Sequence, residues 1–127
     1  MFYLKGIPLY FRKLNNDDLT NSYYSLMSLL SDTNINMINM LSVDNLFKKL
    51  DNNDKIFVVV NDNTSTIVGT GTLQILNRNT HHCVSNIKEI IINKEYEKNK
   101  IIYTKFLKYL IDYSRNSLRC IKYIVDV

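Results

Sequence analysis

The residues from Asn86 to Leu110 constrain the fold of this chain more than any other stretch. Asn86–Ile92 is predicted to be a strand, because its β-branched end Ile90-Ile91-Ile92 is typical of a strand buried on both faces of a sheet. Asn93–Lys100 is predicted to be a polar loop, and Ile101–Tyr113 a helix whose inner face consists of Ile102, Phe106, Tyr109/Leu110 and Tyr113. A basic loop that leads into a helix can offer backbone amides and positive charge to a phosphorylated ligand. Such a unit also occurs in α/β domains without a ligand, so the pattern alone leaves its function open.

Length and composition favour one ordinary globular domain, residues 1–127. The net charge of +4 and the pI of about 9.0 favour anionic ligands. The charge is spread along the chain without an arginine-rich stripe and interleaved aromatics, so a nucleic-acid partner is not expected. The apolar start, Met1 to Tyr10, is short and interrupted by Pro8, so no membrane span is expected. Cys83 and Cys120 are predicted to be reduced thiols of a cytoplasmic protein, and no metal-ligand spacing is present.

Hydrophobic spacing predicts the remaining elements. Two amphipathic helices precede residue 51; their apolar faces are Leu19, Tyr23, Leu26 and Leu30, and, after the cap Ser42, Val43, Leu46, Phe47 and Leu50. The predicted strands are Leu9–Leu14, Ile56–Val60, Ile67–Leu76 and Cys120–Val127, with a polar loop over Asn77–His82. Gly69 and Gly71 are expected to mark a bulge or a close approach by another part of the chain.

The predicted element order is β-α-α-β-β-β-α-β. Helices do not alternate with strands, so the order excludes a doubly wound nucleotide-binding fold. The three consecutive strands are expected to pair antiparallel through short turns. The last strand follows a crossover helix and is expected to run parallel to the strand before that helix. The fold class is therefore α+β, with a mixed but mainly antiparallel sheet.

Stretches along nearly the whole chain resemble one enzyme family. Residues 67–93 contain Ile-Val-Gly-Thr-Gly-Thr-Leu, Arg-Asn-Thr-His and Asn-Ile-Lys-Glu-Ile-Ile-Ile; residues 10–19 contain Tyr-Phe-Arg-Lys-Leu and Asp-Asp-Leu; residues 118–126 are Leu-Arg-Cys-Ile-Lys-Tyr-Ile-Val-Asp. In their order and spacing these are similar to the motifs of the glucosamine 6-phosphate N-acetyltransferases, which contain Lys-x-x-His and Gly-His-x-Glu-Asp patterns. The resemblance implies the fold of the Gcn5-related N-acetyltransferase superfamily.

The resemblance also implies roles for particular residues. Glu89 stands where a carboxylate lies beside the amino sugar, and it is the candidate to accept the proton of the amine. The residues implied to contact the sugar phosphate are Ser31, Arg78, His81, Lys88, Glu89 and Asp126. Those implied to hold acetyl-CoA are Ile90, Ile91 and Ile92 through their backbone, and Lys98, Asn99 and Lys100 at the pyrophosphate. By default the charged residues among them are solvated surface groups.

Three departures from the family pattern bear on activity. The loop Glu97–Thr104 has no glycine where the family has a glycine-rich pyrophosphate loop. Lys88 replaces an acid and reverses the charge beside an ammonium substrate. The family continues beyond the position of Val127 with further strands, so this domain is expected to lack the last strands, as a truncated or divergent member.

The implied reaction is direct acetyl transfer from acetyl-CoA to the amine of D-glucosamine 6-phosphate, a step toward UDP-N-acetylglucosamine. The implied state is a cytoplasmic homodimer without a metal. Two alternatives stay open: another amine N-acetyltransferase of the superfamily, and a catalytically inactive module with this fold. Lys88 and the altered loop favour the first alternative, and the missing end favours the second.

Overall fold

The computed structural model describes residues 1–15, 18, 54–79, 82–96 and 100–125, with backbone alone at 77–79 and 82. It contains one six-stranded sheet and one helix in these ranges. The strands are β1 (Phe2–Leu4), β2 (Ile7–Lys13), β3 (Asp54–Asn61), β4 (Thr66–Asn79), β5 (His82–Ile92) and β6 (Lys122–Val125), and the helix is α1 (Ile101–Asn116). The predicted helices before residue 51 lie outside the described residues.

The six strands lie side by side in chain order, β1 to β6. Neighbouring strands are antiparallel from β1 to β5. Strand β6 follows α1 and runs parallel to β5. The predicted mixed, mainly antiparallel sheet is therefore confirmed, and with it the parallel return of the chain after the helix.

Helix α1 packs on one face of the sheet through the residues that the spacing predicts. Ile102, Phe106 and Leu110 recur at intervals of four, which places them on one side of a helix. They are buried against Phe57 of β3 and Leu73 of β4 in the main core cluster. The helix continues one turn beyond the predicted Tyr113, and its last buried side chain is Ser114, whose hydroxyl hydrogen-bonds that of Ser85 in β5 at 2.6 Å.

Several strand bounds differ from the predictions, and two of the differences change the topology or the predicted loops. The short strand β1 forms a hairpin with β2 through Lys5 and Gly6, both at positive φ, which the sequence analysis did not anticipate. The predicted loop at 77–82 is wrong at residues 77–79 and 82, because Asn77 to Asn79 continue β4 and pair with Val84 to His82; residues 80 and 81 lie outside the described ones. Their polar side chains concealed a strand, since cross-strand backbone bonds form with any side chain except proline.

The end of β2 is fixed by an ion pair. The two terminal guanidinium nitrogens of Arg12, Nη1 and Nη2, donate to the carboxylate of Asp18 at 2.6 and 2.5 Å. The backbone N–H of Asn15 donates to the same carboxylate at 2.7 Å. Asp18 is buried, so these hydrogen bonds satisfy a charge that burial would otherwise penalise. The hydrogen bond to Asp18 raises the pKa of Arg12 above its ordinary value.

The two cysteines form a disulfide, which corrects the prediction of reduced thiols. Cys83 is the second residue of β5, next to the first residue that pairs with β6, and Cys120 precedes β6. The backbone N–H of Ile121 donates to the carbonyl of Cys83 at 3.0 Å, so the parallel pairing itself brings the two cysteines side by side. The two cysteines are 37 residues apart in the chain, so the sequence alone did not indicate that they are close in space. The cytoplasmic location stays a prediction.

Among the described residues, no helix combines the length and the apolar character needed to span a bilayer.

Candidate functional site

The described pairing of β5 with β6 ends partway along β5. The pairing with β6 covers Val84 to Ile87, where Ile87 faces Val125. Beyond that point β5 continues to Ile92, and within the described sheet no strand pairs with it on the β6 side. Among the described residues, the backbone N–H and C=O groups on this side of β5 from Lys88 onward have no strand partner, and an extended ligand can hydrogen-bond them as a strand would. We call this free edge, residues 88–92, the β5 groove.

A β-bulge lies at the start of the β5 groove. Thr70 pairs with Ile91 and Thr72 pairs with Lys88, so β5 has one more residue than β4 between these pairs. Glu89 lies in this bulge with φ at 57°, in the left-handed region that non-glycine residues seldom occupy. This conformation costs about 1–3 kcal/mol, and such strain concentrates at functional sites. The bulge therefore singles out Glu89 among the exposed acidic residues.

The Glu89 side chain reaches a hydroxyl on the neighbouring strand. Thr72 donates through Oγ1 to Glu89 Oε2 at 3.3 Å. Its neighbours Gly71 and Leu73 face α1, so Thr72 and its cross-strand partner Lys88 point to the opposite face of the sheet. The hydrogen bond brings the Glu89 carboxylate to that same face. Lys88 and Glu89 thus share a face, whereas neighbours in a regular strand would alternate.

The two glycines of β4 allow close packing beside the bulge. A β-carbon on Gly69 would lie 2.9 Å from Cδ1 of Ile92 and 3.3 Å from the carbonyl oxygen of Ile91. A β-carbon on Gly71 would lie 3.0 Å from the ring of Phe106. The expectation that these glycines mark a bulge and a close approach is confirmed. Gly71 lets α1 dock directly behind the bulged part of β5.

The N-terminus of α1 opens at the far end of the β5 groove. Lys100 is the N-cap residue with φ at 53°, and among the described residues no side-chain capping hydrogen bond is made there. No acidic residue occupies that turn, so the partial positive charge of the helix end is not neutralised by its own residues. Lys100, at the start of this turn, and Lys94, earlier in the same connection, are both exposed. An anion such as a diphosphate suits this combination of free amides and lysines.

The loop between β5 and α1 is anchored where it leaves the sheet. Asn93 donates through its backbone N–H to Val68 at 2.7 Å, and its side-chain oxygen accepts from the N–H of Glu95 at 3.0 Å. The Tyr96 hydroxyl accepts a hydrogen bond from the side-chain amide of buried Asn61 at 3.2 Å. These contacts fix the first half of the loop relative to β3 and β4.

The structure brings some of the predicted site residues together. Lys88, Glu89, Ile90, Ile91 and Ile92 form the β5 groove, and Lys100 begins the helix beyond it. Arg78 lies in β4 opposite Cys83, six residues from Thr72 and so roughly 20 Å away along the strand. The predicted site residues outside the described ranges are Ser31, His81, Lys98, Asn99 and Asp126. The sequence analysis missed Thr72, for which alternation along β4 was the available signal.

No cluster of His, Cys, Asp and Glu large enough to hold a metal ion occurs within the ranges that the structure describes.

No protein-family model matches the chain, and no curated protein matches it in sequence. Solved structures do match its fold, and they define it as that of the Gcn5-related N-acetyltransferases. The glucosamine-6-phosphate N-acetyltransferase of Arabidopsis thaliana superposes with a TM-score of 0.78 at 19% identity, covering 94% of this chain and 82% of that one.

Two further solved structures share the fold. An acetyltransferase of Trypanosoma brucei superposes with a TM-score of 0.72 at 22% identity, covering 94% of this chain and 83% of that one. AAC(6')-Iy was solved in complex with the bisubstrate analogue CoA-S-monomethyl-acetylneamine. It superposes with a TM-score of 0.70 at 13% identity, covering 94% of this chain and 80% of that one. At these identities the likeness establishes the fold, which is the one that the sequence resemblance implied.

Proposed function

We propose that this protein is an acetyl-CoA-dependent N-acetyltransferase whose thioester lies in the β5 groove. The observation that carries the proposal is the stretch of β5 beyond Ile87, which has no strand partner on the β6 side among the described residues, together with the N-terminus of α1 at Lys100. The free strand edge offers hydrogen bonds to the amide-containing pantetheine arm, and the helix end with Lys100 offers positive charge to the diphosphate. Lys98 and Asn99 are proposed to complete this anion site. The acetyltransferase fold of the matched structures supports the same assignment.

The residues of the β5 groove supply the chemistry that direct acyl transfer needs. Backbone amides near Ile90–Ile92 are proposed to hold the thioester carbonyl and to stabilise the negative charge that develops on its oxygen. Glu89 is proposed to accept a proton from the attacking amine, directly or through a water molecule. Positioning of the two reactants in one complex is proposed to supply the remaining rate acceleration, so no nucleophilic side chain is required.

For the acceptor we propose D-glucosamine 6-phosphate, which would place the reaction in UDP-N-acetylglucosamine synthesis. The support is the sequence resemblance together with the fold of the Arabidopsis enzyme. Ser31, Arg78, His81 and Asp126 are proposed to contact the sugar phosphate. Arg78 suits this role chemically, because guanidinium binds phosphate through two parallel hydrogen bonds.

A second candidate acceptor is a different primary amine, and two observations favour it. Lys88 lies on the same face as the Glu89 carboxylate, where it would repel the ammonium form of an amino sugar. Arg78 lies roughly 20 Å along β4 from the bulge, which is longer than a hexosamine phosphate. The distance of Arg78 weakens a phosphate contact made within one subunit, and Lys88 opposes the ammonium group of the amino sugar.

An assay of thiol release tests the activity and the acceptor together. We expect free CoA to appear when purified protein, acetyl-CoA and glucosamine 6-phosphate are mixed, and to appear at least tenfold more slowly with glucosamine, because the phosphate contributes charge-assisted hydrogen bonds. Arg78→Ala is expected to raise the KM for the sugar phosphate, while Arg119→Ala, an exposed arginine near β6, serves as the control.

The pattern of rates separates the candidates. Faster release with a polyamine than with glucosamine 6-phosphate would favour the second acceptor class. Absence of release with every amine, together with no heat of binding when acetyl-CoA is titrated into the protein, would leave an inactive module with this fold.

We also propose that the protein is a homodimer that pairs through β6. Strand β6 is the outer strand of the described sheet. Ile121, just before β6, is 59% exposed, and Ile124, within it, is 51% exposed. An apolar outer strand offers unpaired backbone groups and apolar side chains to a second copy.

Analytical ultracentrifugation tests the dimer. We expect a mass near twice 14.9 kDa, and we expect Ile124→Lys to shift the equilibrium toward monomer, because a lysine on an outer strand opposes pairing. Tyr3→Lys changes an exposed residue of β1, at the opposite edge, and is the matched control. A monomeric mass at all concentrations would overturn the proposal.

A further inference from the structure

We propose that Thr72 is a positioning residue that holds the Glu89 carboxylate toward the acceptor amine. This inference rests on the proposed acetyltransferase function. The contact that carries it is the hydrogen bond from Thr72 Oγ1 to Glu89 Oε2 at 3.3 Å, made across the bulge between β4 and β5. Glu89 is exposed and its backbone is strained, so this hydroxyl supplies a fixed partner for a carboxylate that would otherwise turn freely in water.

The Thr72 hydroxyl is itself held rigidly. The residue is 7% exposed and lies in the middle of β4, between Gly71 and Leu73, which face α1. A β-branched side chain in a strand has few accessible χ1 rotamers, so its hydroxyl direction is set by the backbone. The donor is therefore preorganised. The conformational entropy of orienting the Glu89 side chain is lost when the sheet folds and not again at each turnover.

The bulge and the hydrogen bond together place the Glu89 carboxylate on the same face of the sheet as Lys88. In a regular strand Glu89 would point toward the α1 face, opposite to Lys88. The bulge turns its side chain to the other face, where Thr72 donates to one carboxylate oxygen. A carboxylate oxygen has more than one acceptor site, so the hydrogen bond leaves Glu89 able to take a proton from an amine.

Thr70 provides a matched control within the same strand. It is two residues from Thr72, it is 3% exposed, and its hydroxyl donates to the backbone carbonyl of Phe57 at 3.2 Å, away from Glu89. Thr72→Val and Thr70→Val make the same chemical change, and each removes one buried hydroxyl of β4. A purely structural role for Thr72 would give the two variants the same thermal stability and the same kinetics.

A double-mutant cycle with Glu89→Ala tests the inference. Thr72→Val is expected to lower kcat about tenfold, the rate equivalent of one hydrogen bond to a charged group, without changing the KM for acetyl-CoA. Thr72→Ser is expected to restore kcat, and Thr70→Val to change it less than threefold. In the Glu89→Ala background Thr72→Val is expected to have no further effect, because no carboxylate is left to position.

The outcomes separate this inference from the function on which it rests. If the wild-type protein releases no CoA, the acetyltransferase proposal fails first. If the wild type is active and Thr72→Val matches Thr70→Val in kcat, or lowers kcat equally with and without Glu89, then Thr72 does not act through Glu89 and the inference is overturned. Melting temperatures of both valine variants identify any loss that comes from unfolding.

Discussion

Replacing Glu89 with glutamine is expected to lower kcat for acetyl transfer by about 10²- to 10⁴-fold, the usual contribution of a general base. Glutamine keeps the size of the side chain and can still accept the Thr72 hydrogen bond, but it cannot take a proton from the amine. The KM for acetyl-CoA is expected to stay within about twofold, since the proposed coenzyme contacts are backbone groups and the α1 N-terminus. Initial rates of CoA release against both substrates measure the two parameters.

Glu95→Gln is the matched control for this change. Glu95 is an exposed acidic residue in the turn that follows β5, and its backbone N–H, not its carboxylate, makes the hydrogen bond to Asn93. This variant is expected to keep the wild-type kcat. A Glu89→Gln enzyme within threefold of wild type would show that backbone groups orient the amine and that solvent removes its proton.

The elements that could be predicted from the sequence are those with a strong hydrophobic period. The run Ile90-Ile91-Ile92 and the four-residue spacing of Ile102, Phe106 and Leu110 each belong to one kind of element, and both predictions are confirmed. Three strands joined by short turns leave few topologies, and the crossover helix then sets the direction of β6. This chain of local constraints explains why the fold followed from the sequence.

The bulge could not be predicted in detail, because no local residue preference points to it. Positive φ is usually marked by glycine or asparagine, whereas here Glu89 and Lys100 adopt it. The preference of a single residue is worth about 1 kcal/mol, so the pairing of β4 with β5 overrides it. Gly71, on the partner strand, was the available signal, and it identified the place but not the residue that is displaced.

Of the contact between Thr72 and Glu89, the sequence could predict the face of the sheet but not the partner. Alternation along β4 places Thr72 opposite to the helix-facing glycine, but which side chain it meets depends on the register with β5. One inserted residue changes that register and brings Glu89, rather than its neighbours, to the hydroxyl. Contacts across a bulge are therefore the least accessible to sequence reasoning, although they are the ones that the proposed chemistry uses.

Replacing Phe106 with alanine is expected to reduce the free energy of unfolding by about 3–5 kcal/mol, the usual loss for a fully buried phenylalanine. Phe106 is 0% exposed, and its ring stacks on that of Phe11 with centroids 5.3 Å apart. It also lies against Gly71, where no β-carbon separates the helix from the sheet. Alanine would leave a cavity between α1 and β4 that rigid strands cannot collapse to fill. Urea unfolding followed by circular dichroism measures the difference.

Phe2→Ala tests whether this loss belongs to the docking site or to aromatic packing in general. Phe2 makes a comparable ring contact with Phe11, at 5.2 Å, but it is half-buried at the edge of the sheet. Water can occupy the space that it leaves, so we expect a loss of about 1 kcal/mol from the apolar area alone. Equal losses in the two variants would show that the close contact at Gly71 adds nothing to the free energy of unfolding beyond ordinary aromatic burial.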